Sequence, residues 1–404
     1  MVIGAGAAGT MAAIFAARAG AETVLVERTR DGGRKILISG GGRCNVLPAL
    51  LDETRFVTDS SPNTLRKIVR SWPLAEQREF FEQELAIPLS EEQESAKLFP
   101  RSNRARDVRD GLLEHARSLG ARLLMDTRVV DVAPDGAGWR VSCEDAPPLD
   151  CDAVIMATGG LSVPNTGSDG TGLRLLERLG HVMHPTYAAL TPLIAEPAPY
   201  ASLAGVSLPV NLTARGGGRN AVASGGFLFT HRGYSGPSVL DVSHVLVRSR
   251  AEGTTPPAEL SVRWTEHDAS AWEALLHPRG GRTVWAVVRA ELPDRLAAAL
   301  LEDARVEQVR LLGDLTREER RRLLAVLVSG HLPWTGDEGY RKAEVTGGGV
   351  SLAEIDPRTM ESRRQPGLFL CGELLDAFGP IGGYNFFWGW ATGRAAGKGA
   401  GRRD

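Results

Sequence analysis

Met1-Val2-Ile3-Gly4-Ala5-Gly6-Ala7-Ala8-Gly9, followed after an apolar segment by Thr23-Val24-Leu25-Val26-Glu27, decides the fold. It reads as strand, turn, helix, strand. Met1 to Ile3 is the tail of a buried strand, Gly4 to Gly9 turns into a helix, and Thr23 to Val26 is a second strand. Gly4 permits the tight turn, Gly6 lets backbone approach a pyrophosphate, and Gly9 lets helix and strand pack closely. The helix N-terminus offers free N–H groups and the positive end of its dipole to phosphates. Glu27 lies eighteen residues past Gly9, with Arg28 beside it, where an acid accepts hydrogen bonds from an adenosine ribose. A glycine triplet alone also occurs in ordinary turns of parallel sheets. With the flanking strand, helix and placed acid it is a dinucleotide fingerprint, which does not distinguish NAD from FAD. The three residues before Gly4 are fewer than the roughly five or six of a usual strand. A shortened or misassigned start is expected, at a cost in sheet pairing.

The chain has 404 residues, too many for one core, so two or three domains are expected. Its 43% hydrophobic and 24% charged residues are ordinary for a soluble globular protein. A net charge of -2 supplies no drive toward nucleic acid or an anionic membrane, so neither partner is expected. Cys44, Cys143, Cys151 and Cys371 form no CxxC and no metal spacing, and the eight His are scattered. Reduced thiols, a cytoplasmic location and no metal follow as expectations. Residues 2 to 17 are uncharged, but no basic region precedes them, so they do not read as a signal peptide. No other stretch approaches a membrane span.

Further along stands Gly32-Gly33-Arg34-Lys35-Ile36-Leu37-Ile38-Ser39-Gly40-Gly41-Gly42-Arg43-Cys44-Asn45. So many glycines suit backbone passing close to a ligand rather than a helix or strand interior. Arg34, Lys35 and Arg43 add positive charge suited to phosphate or an anionic ring. A flexible basic surface loop would not need Ile36-Leu37-Ile38. Helical segments are expected over about 62–86 and 104–119. A strand is expected over Leu123 to Val132, with Trp139 to Cys143 antiparallel to it across Asp135–Gly138. Cys151 to Gly160 is a buried strand ending in Ala157-Thr158-Gly159-Gly160, which places Thr158 to Gly160 against the nucleotide. From about Tyr187 prolines punctuate short β-like runs. The expected division is 1–186 and 342–404 for the nucleotide domain, with 187–341 inserted, β-rich over 187–265 and helical over 266–335. Gly367-Leu368-Phe369-Leu370-Cys371-Gly372-Glu373 is a last buried strand, and Gly382-Gly383-Tyr384-Asn385 opens an apolar helix. That helix N-terminus can face the pyrimidine edge of a flavin and stabilise charge that develops on reduction.

The combination of Gly33-Arg34-Lys35, Ser39-Gly40-Gly41-Gly42-Arg43-Cys44-Asn45, Ala157-Thr158-Gly159-Gly160, Val345-Thr346-Gly347-Gly348-Gly349-Val350 and Gly382-Gly383-Tyr384-Asn385 resembles one bacterial flavoprotein family. It is that of the BaiN/RdsA-like NAD(P)/FAD-dependent oxidoreductases, often labelled aminoacetone-oxidase-like. The resemblance covers essentially the whole chain. It implies an α/β fold with a Rossmann-type FAD domain of the glutathione-reductase kind, split by a β-barrel-like and helical insert, and non-covalent FAD. On that template Glu27 binds the adenosine ribose and Val129 the adenine by backbone. Gly372 and Glu373 hold the ribityl-pyrophosphate region, Gly383, Tyr384, Asn385 and Phe386 the flavin ring, and Ser39 to Asn45 lie along the isoalloxazine. Glu373 stands where many flavoproteins of this architecture have Asp.

The resemblance implies oxidoreduction of a small organic substrate by hydride transfer at the flavin. Only one Gly-x-Gly-x-x-Gly unit is present. NAD(P)H therefore serves as a transient reductant without its own domain, or another reductant or O2 takes its place. Candidate proton donors are Cys44, Tyr384 and His231. A structural reading stands beside each: Cys44 packing a crowded loop, Tyr384 capping its helix, His231 as an ordinary loop histidine. An O2-using oxidase of an amine or amino ketone, a flavoprotein acting on tRNA, and a flavin sensor without turnover are the alternatives. The oligomeric state is left open.

Overall fold

Val2 and Ile3 form β1, the middle strand of a five-stranded sheet. The computed structural model describes residues 1–277 and 280–402. The other strands of this sheet are β2 (Val24–Val26), β3 (Arg122–Leu124), β4 (Val154–Met156) and β5 (Leu368–Leu370). Their order is β5-β4-β1-β2-β3, and every pairing is parallel. Val2 lies between Ile155 and Leu25, and Ile3 between Met156 and Val26. β1, β4 and β5 are buried throughout. That is why they are short apolar runs rather than alternating ones. Short as it is, β1 pairs on both sides, and the Met1 ammonium donates to the Ala153 carbonyl at 2.7 Å.

Four helices matter for the site: α1 (Ala7–Arg18), α2 (Arg34–Ile38), α3 (Ala105–Ser118) and α4 (Tyr384–Ala400). α1 and α4 approach closely because glycines recur every fourth residue on α4. A Cβ at Gly393 would lie 2.3 Å from the Ala8 carbonyl oxygen, and one at Gly397 2.3 Å from that of Ala12. Residues four apart share a helix face, so this stripe sets the spacing between the two helices.

The single strand expected over 123–132 is two. β3 ends at Leu124, Asp126 turns with φ 53°, and Val129–Asp135 starts an antiparallel meander with Gly138–Cys143 and Ala146–Cys151. At the left-handed Asp126 the regular parallel pairing ends, with a last bond from the Thr127 N–H to the Glu27 carbonyl, past the end of β2. The helix expected over 62–86 is likewise broken. Pro62–Val69 and Leu74–Glu79 are separated at Pro73, whose ring cannot sit in a helix interior.

Met1–Thr186 and Val345–Asp404 form one compact unit, and Tyr187–Glu344 forms another. The second has its own seven-stranded antiparallel sheet, built around Ser207–Gly216 and Arg219–Phe229. Phe227, Phe229, Tyr234 and Trp264 cluster in its core. It also holds a 15-residue helix, Pro237–Ala251, in the stretch read from sequence as β-rich. Val239, Val242, Val245 and Leu246 carry the helical spacing, and Pro237 sits in the first turn, where its missing N–H costs nothing.

Candidate cofactor site

The turn from β1 into α1 shows why its glycines differ. Gly4 has φ 102°, and a Cβ there would lie 2.6 Å from the Ala157 carbonyl oxygen. A Cβ at Gly9 would lie 1.8 Å from the Gly4 carbonyl oxygen. Both are packing requirements. Gly6 is not: its φ is -80°, and its Cβ position has nothing within 4 Å. Gly6 is also the N-cap of α1, and no side chain caps that end. Open space thus lies beside an uncapped helix N-terminus, the arrangement that binds anions. Glu27 is buried and shapes this turn. Its Oε2 accepts the Ala5 N–H at 2.8 Å, while Oε1 accepts the N–H and hydroxyl of Thr29 at 2.8 and 2.7 Å. Oε2 has a lone pair left for a ribose hydroxyl.

The glycine-rich segment is ordered. α2 is followed by a tight turn over Ser39–Gly42 in which Gly40 and Gly41 are left-handed, at φ 56° and 67°. The Ser39 hydroxyl donates to the Ile36 carbonyl at 2.9 Å. The Cβ position of Gly41 is open, and that of Gly42 meets only the Leu37 carbonyl oxygen, at 3.9 Å. Each basic residue here has an acidic partner. Arg28 pairs with Asp169 at 2.5 Å, Arg34 with Asp31 at 3.1 Å, Lys35 with Glu373 at 2.5 Å and Arg43 with Glu92 at 2.9 Å. Burial alone would raise the Asp169 carboxyl, but Arg28 and Thr171 outweigh it and bring it down to about 2. Arg43 also lies 4.1 Å over the Phe99 ring.

Past β4, Thr158, Gly159 and Gly160 follow without regular structure. Thr158 Oγ1 is buried with no hydrogen-bond partner, an unpaid cost in a site otherwise well bonded. A Cβ at Gly160 would lie 2.3 Å from Thr346 Oγ1 and 3.0 Å from Glu373 Oε1. The Glu373 carboxylate is enclosed by Lys35, Ser162 and Thr346. Burial would raise its pKa; the Lys35 ammonium and the two hydroxyls override it and hold the carboxyl below its ordinary value. Gly372 is tied to α4, its N–H to Thr392 Oγ1 and its carbonyl to Trp388 Nε1, both at 3.0 Å.

At the α4 N-terminus Gly383 has φ 91°, and a Cβ there would lie 2.4 Å from the Leu47 carbonyl carbon. The Asn45 amide, oriented by the groups around it, accepts the Gly383 N–H at 3.0 Å and donates to the Leu47 carbonyl at 3.2 Å. Asn385 closes the preceding loop by bonding both backbone groups of Gly379, at 2.9 and 3.0 Å. Phe386 stacks on Trp390 at 5.4 Å. Tyr384 is buried, and its hydroxyl is held by the Asp52 N–H at 3.1 Å and the Leu50 carbonyl at 3.4 Å. Cys44 is fully buried, and burial pushes its thiol up to about 12. His231 belongs to the second unit, exposed in the turn before Gly233–Ser235. Val129 starts the first meander strand.

Sequence reading missed one cluster of this unit. Asp376 Oδ2 accepts the N–H groups of Asp59 and Ser60 at 2.9 Å and the Ser60 hydroxyl at 2.8 Å, with His184 Nε2 3.6 Å away. Burial raises the Asp376 carboxyl above its ordinary range, against the Ser60 and Thr58 hydroxyls and the nearby His184 ring, which lower it. Residues this far apart in sequence carry no local signal. Among the described residues, no group of three or more His, Cys, Asp or Glu is placed to hold a metal, and no helix is long and apolar enough to cross a membrane.

The open position at Gly6 beside an uncapped helix end, the partnerless Thr158 hydroxyl and the open turn at Gly41 fit a long dinucleotide. Residues 1–399 match the family described as the HI0933-like protein Rossmann domain. The chain belongs to the HI0933-like family. It is an oxidoreductase with a Rossmann-type, flavoprotein fold. Among similar proteins, the ribosomal RNA dihydrouridine synthase of Escherichia coli is 30% identical over 400 residues, 97% of this chain and 95% of that protein. The 3-dehydro-bile acid delta(4,6)-reductase of Clostridium scindens is 31% identical over 413 residues, 100% of this chain and 98% of that one. Among solved structures, 3-ketosteroid delta1-dehydrogenase from Sterolibacterium denitrificans superposes with a TM-score of 0.54 at 14% identity, covering 99% of this chain and 98% of that one. E. coli quinol fumarate reductase FrdA gives 0.51 at 16% identity, covering 99% and 69%. At such identities the likeness shows a shared fold.

Proposed function

We propose that this chain binds FAD non-covalently in its first unit and uses it to saturate a carbon–carbon double bond conjugated to a carbonyl, with NAD(P)H as reductant. The observation that carries the reading is the open Gly6 position at the uncapped end of α1, next to the Glu27 carboxylate. The reaction class follows from what the two relatives' names share. A dihydrouridine synthase saturates the uracil ring bond conjugated to its carbonyl. A delta(4,6)-reductase of a 3-dehydro bile acid removes double bonds conjugated to a 3-oxo group.

FAD, when bound, supplies hydride donation and acceptance. The protein's part is placement. Gly6 and the first amides of α1 receive the pyrophosphate, Glu27 orients the ribose while fixing Ala5, and the Gly383–Phe386 helix end faces the ring. With one fingerprint unit in the sequence, NAD(P)H would bind transiently, without a domain of its own.

Anaerobic mixing of the holoprotein with NADH or NADPH, followed by a 4-en-3-one steroid, uridine-containing ribosomal RNA, or an amine with O2, tests this. The expected result is bleaching by a nicotinamide and recolouring by the enone or the RNA, with a saturated product. Which acceptor works separates a small-molecule substrate from a base in RNA. The net charge of -2 argues for the former and the E. coli relative for the latter. Peroxide formed from an amine, with no bleaching by nicotinamide, would make the protein an oxidase. No turnover with any arm would leave a flavin sensor.

A further inference from the structure

Lys35, Ser162, Thr346 and Glu373 come from four separate segments and meet at one point of the first unit. Lys35 Nζ donates to Glu373 Oε2 at 2.5 Å and to the Ser162 hydroxyl at 2.6 Å. That hydroxyl donates onward to Glu373 Oε1 at 2.5 Å, and Thr346 donates to the same oxygen from its N–H at 2.9 Å and its Oγ1 at 2.8 Å. Both carboxylate oxygens are thus committed. The ammonium is not: it has three N–H groups, two of them engaged, and the Lys35 side chain is 25% exposed.

A largely enclosed ion pair is a poor way to gain stability, since desolvating two charges offsets most of their attraction. Its other use is to fix a charge in space. Lys35 lies on α2, immediately before the Ser39–Asn45 strap. Glu373 lies just past β5, on the strap that leads to Gly383–Phe386. The resemblance lays Ser39–Asn45 along the flavin ring, and the proposed FAD site puts the Gly383–Phe386 helix end at it, so the inference rests on that reading. A fixed cation beside a flavin favours its reduced, more negative form. We infer that Lys35, held by Glu373 and Ser162, is the charge that raises the flavin's reduction potential, with Glu373 as its positioning residue.

The test is the reduction midpoint of the FAD-loaded protein, read against a reference dye, with flavin content and melting temperature measured alongside. Wild type is compared with Lys35→Met, Lys35→Arg and Glu373→Gln. Lys35→Met is expected to lower the reduced-to-oxidised ratio at fixed potential about tenfold or more, which is about 30 mV for a two-electron couple. Lys35→Arg restores most of it. Glu373→Gln shifts the ratio the opposite way, because the Ser162 hydroxyl and the Gln amide oxygen still hold the ammonium while its counter-charge is lost. A pair that only rivets two straps lowers both melting temperatures and leaves the midpoint unmoved, or moves it the same way in both variants; either result overturns the inference. Should Lys35→Met fail to fold, the charge-neutral double variant Lys35→Met/Glu373→Gln replaces it. Its midpoint is expected below wild type, and an unchanged midpoint is equally fatal. Wild type without FAD defeats the flavin reading and this inference together, whereas bound FAD with unmoved midpoints defeats this inference alone.

Discussion

At the scale of single residues, the glycines of the fingerprint separate into two kinds that sequence cannot tell apart. Gly9 packs against backbone, so Gly9→Ala forces α1 off β1, a cost of roughly 3 kcal/mol for an overpacked contact that cannot relax. Gly6 faces open space with a φ that any residue adopts. Gly6→Val should therefore melt within a few degrees of wild type yet retain less than about a tenth of its flavin, since ligand approach is what it blocks. Loss of fold and flavin together would refute that separation. Cys44, pushed up to about 12, should resist iodoacetamide at pH 8 in the native protein, and partly exposed Cys143 should be labelled before it. Peptide mapping of the alkylated protein decides it. The Glu373 carboxyl is held below its unfolded value. Its contribution to stability is therefore present above the ordinary carboxylate range and is lost as pH falls through the depressed folded value. Urea titrations of wild type and Glu373→Gln should differ at neutral pH and converge in acid; a gap that widens in acid would reverse the assignment.

Among elements, α1 and α4 are one packed pair, and the glycines of α4 are its spacers. Gly393→Ala puts a methyl group 2.3 Å from the Ala8 carbonyl oxygen, one turn from the open end of α1. We expect about 2 kcal/mol lost and weaker flavin retention from that one change, measured by thermal melting and by flavin released on dilution. The α1 end was legible because every part of it is local: strand, turn, helix and acid fall within 27 residues. The other contributions were legible only as motifs. Ser162, Thr346 and Glu373 lie in separate segments of the sequence, and nothing local shows that they converge on Lys35. The strand expected over 123–132 failed for a related reason: apolar character continues through Leu124 and Val129, but the sheet that receives it changes between them. The missed helix Pro237–Ala251 kept its periodicity, hidden by the glycines and prolines on its N-terminal side.

In the whole molecule, two units with separate hydrophobic cores need not unfold together. Calorimetry is expected to resolve two transitions, with added FAD raising only that of the unit containing Gly6 and Glu27. Ligand at about 100 times its dissociation constant adds roughly 2.7 kcal/mol to the state that binds it. A single transition, or both moving equally, would show that the two units unfold as one. The fold class could be read from the first 27 residues and the last strand and helix, because a parallel sheet and its nucleotide turn are written in short buried runs and glycines. The source of the substrate could not, because relatives matched over nearly their whole length carry names for a ribosomal RNA and for a bile acid. Beneath all of this lies the claim that FAD occupies the cradle beside Gly6. The most direct measurement is the absorbance of the purified protein, followed by analysis of what denaturation releases. The expected result is a flavin spectrum and intact FAD set free in about equimolar amount. A colourless protein that cannot be reconstituted with FAD would contradict it.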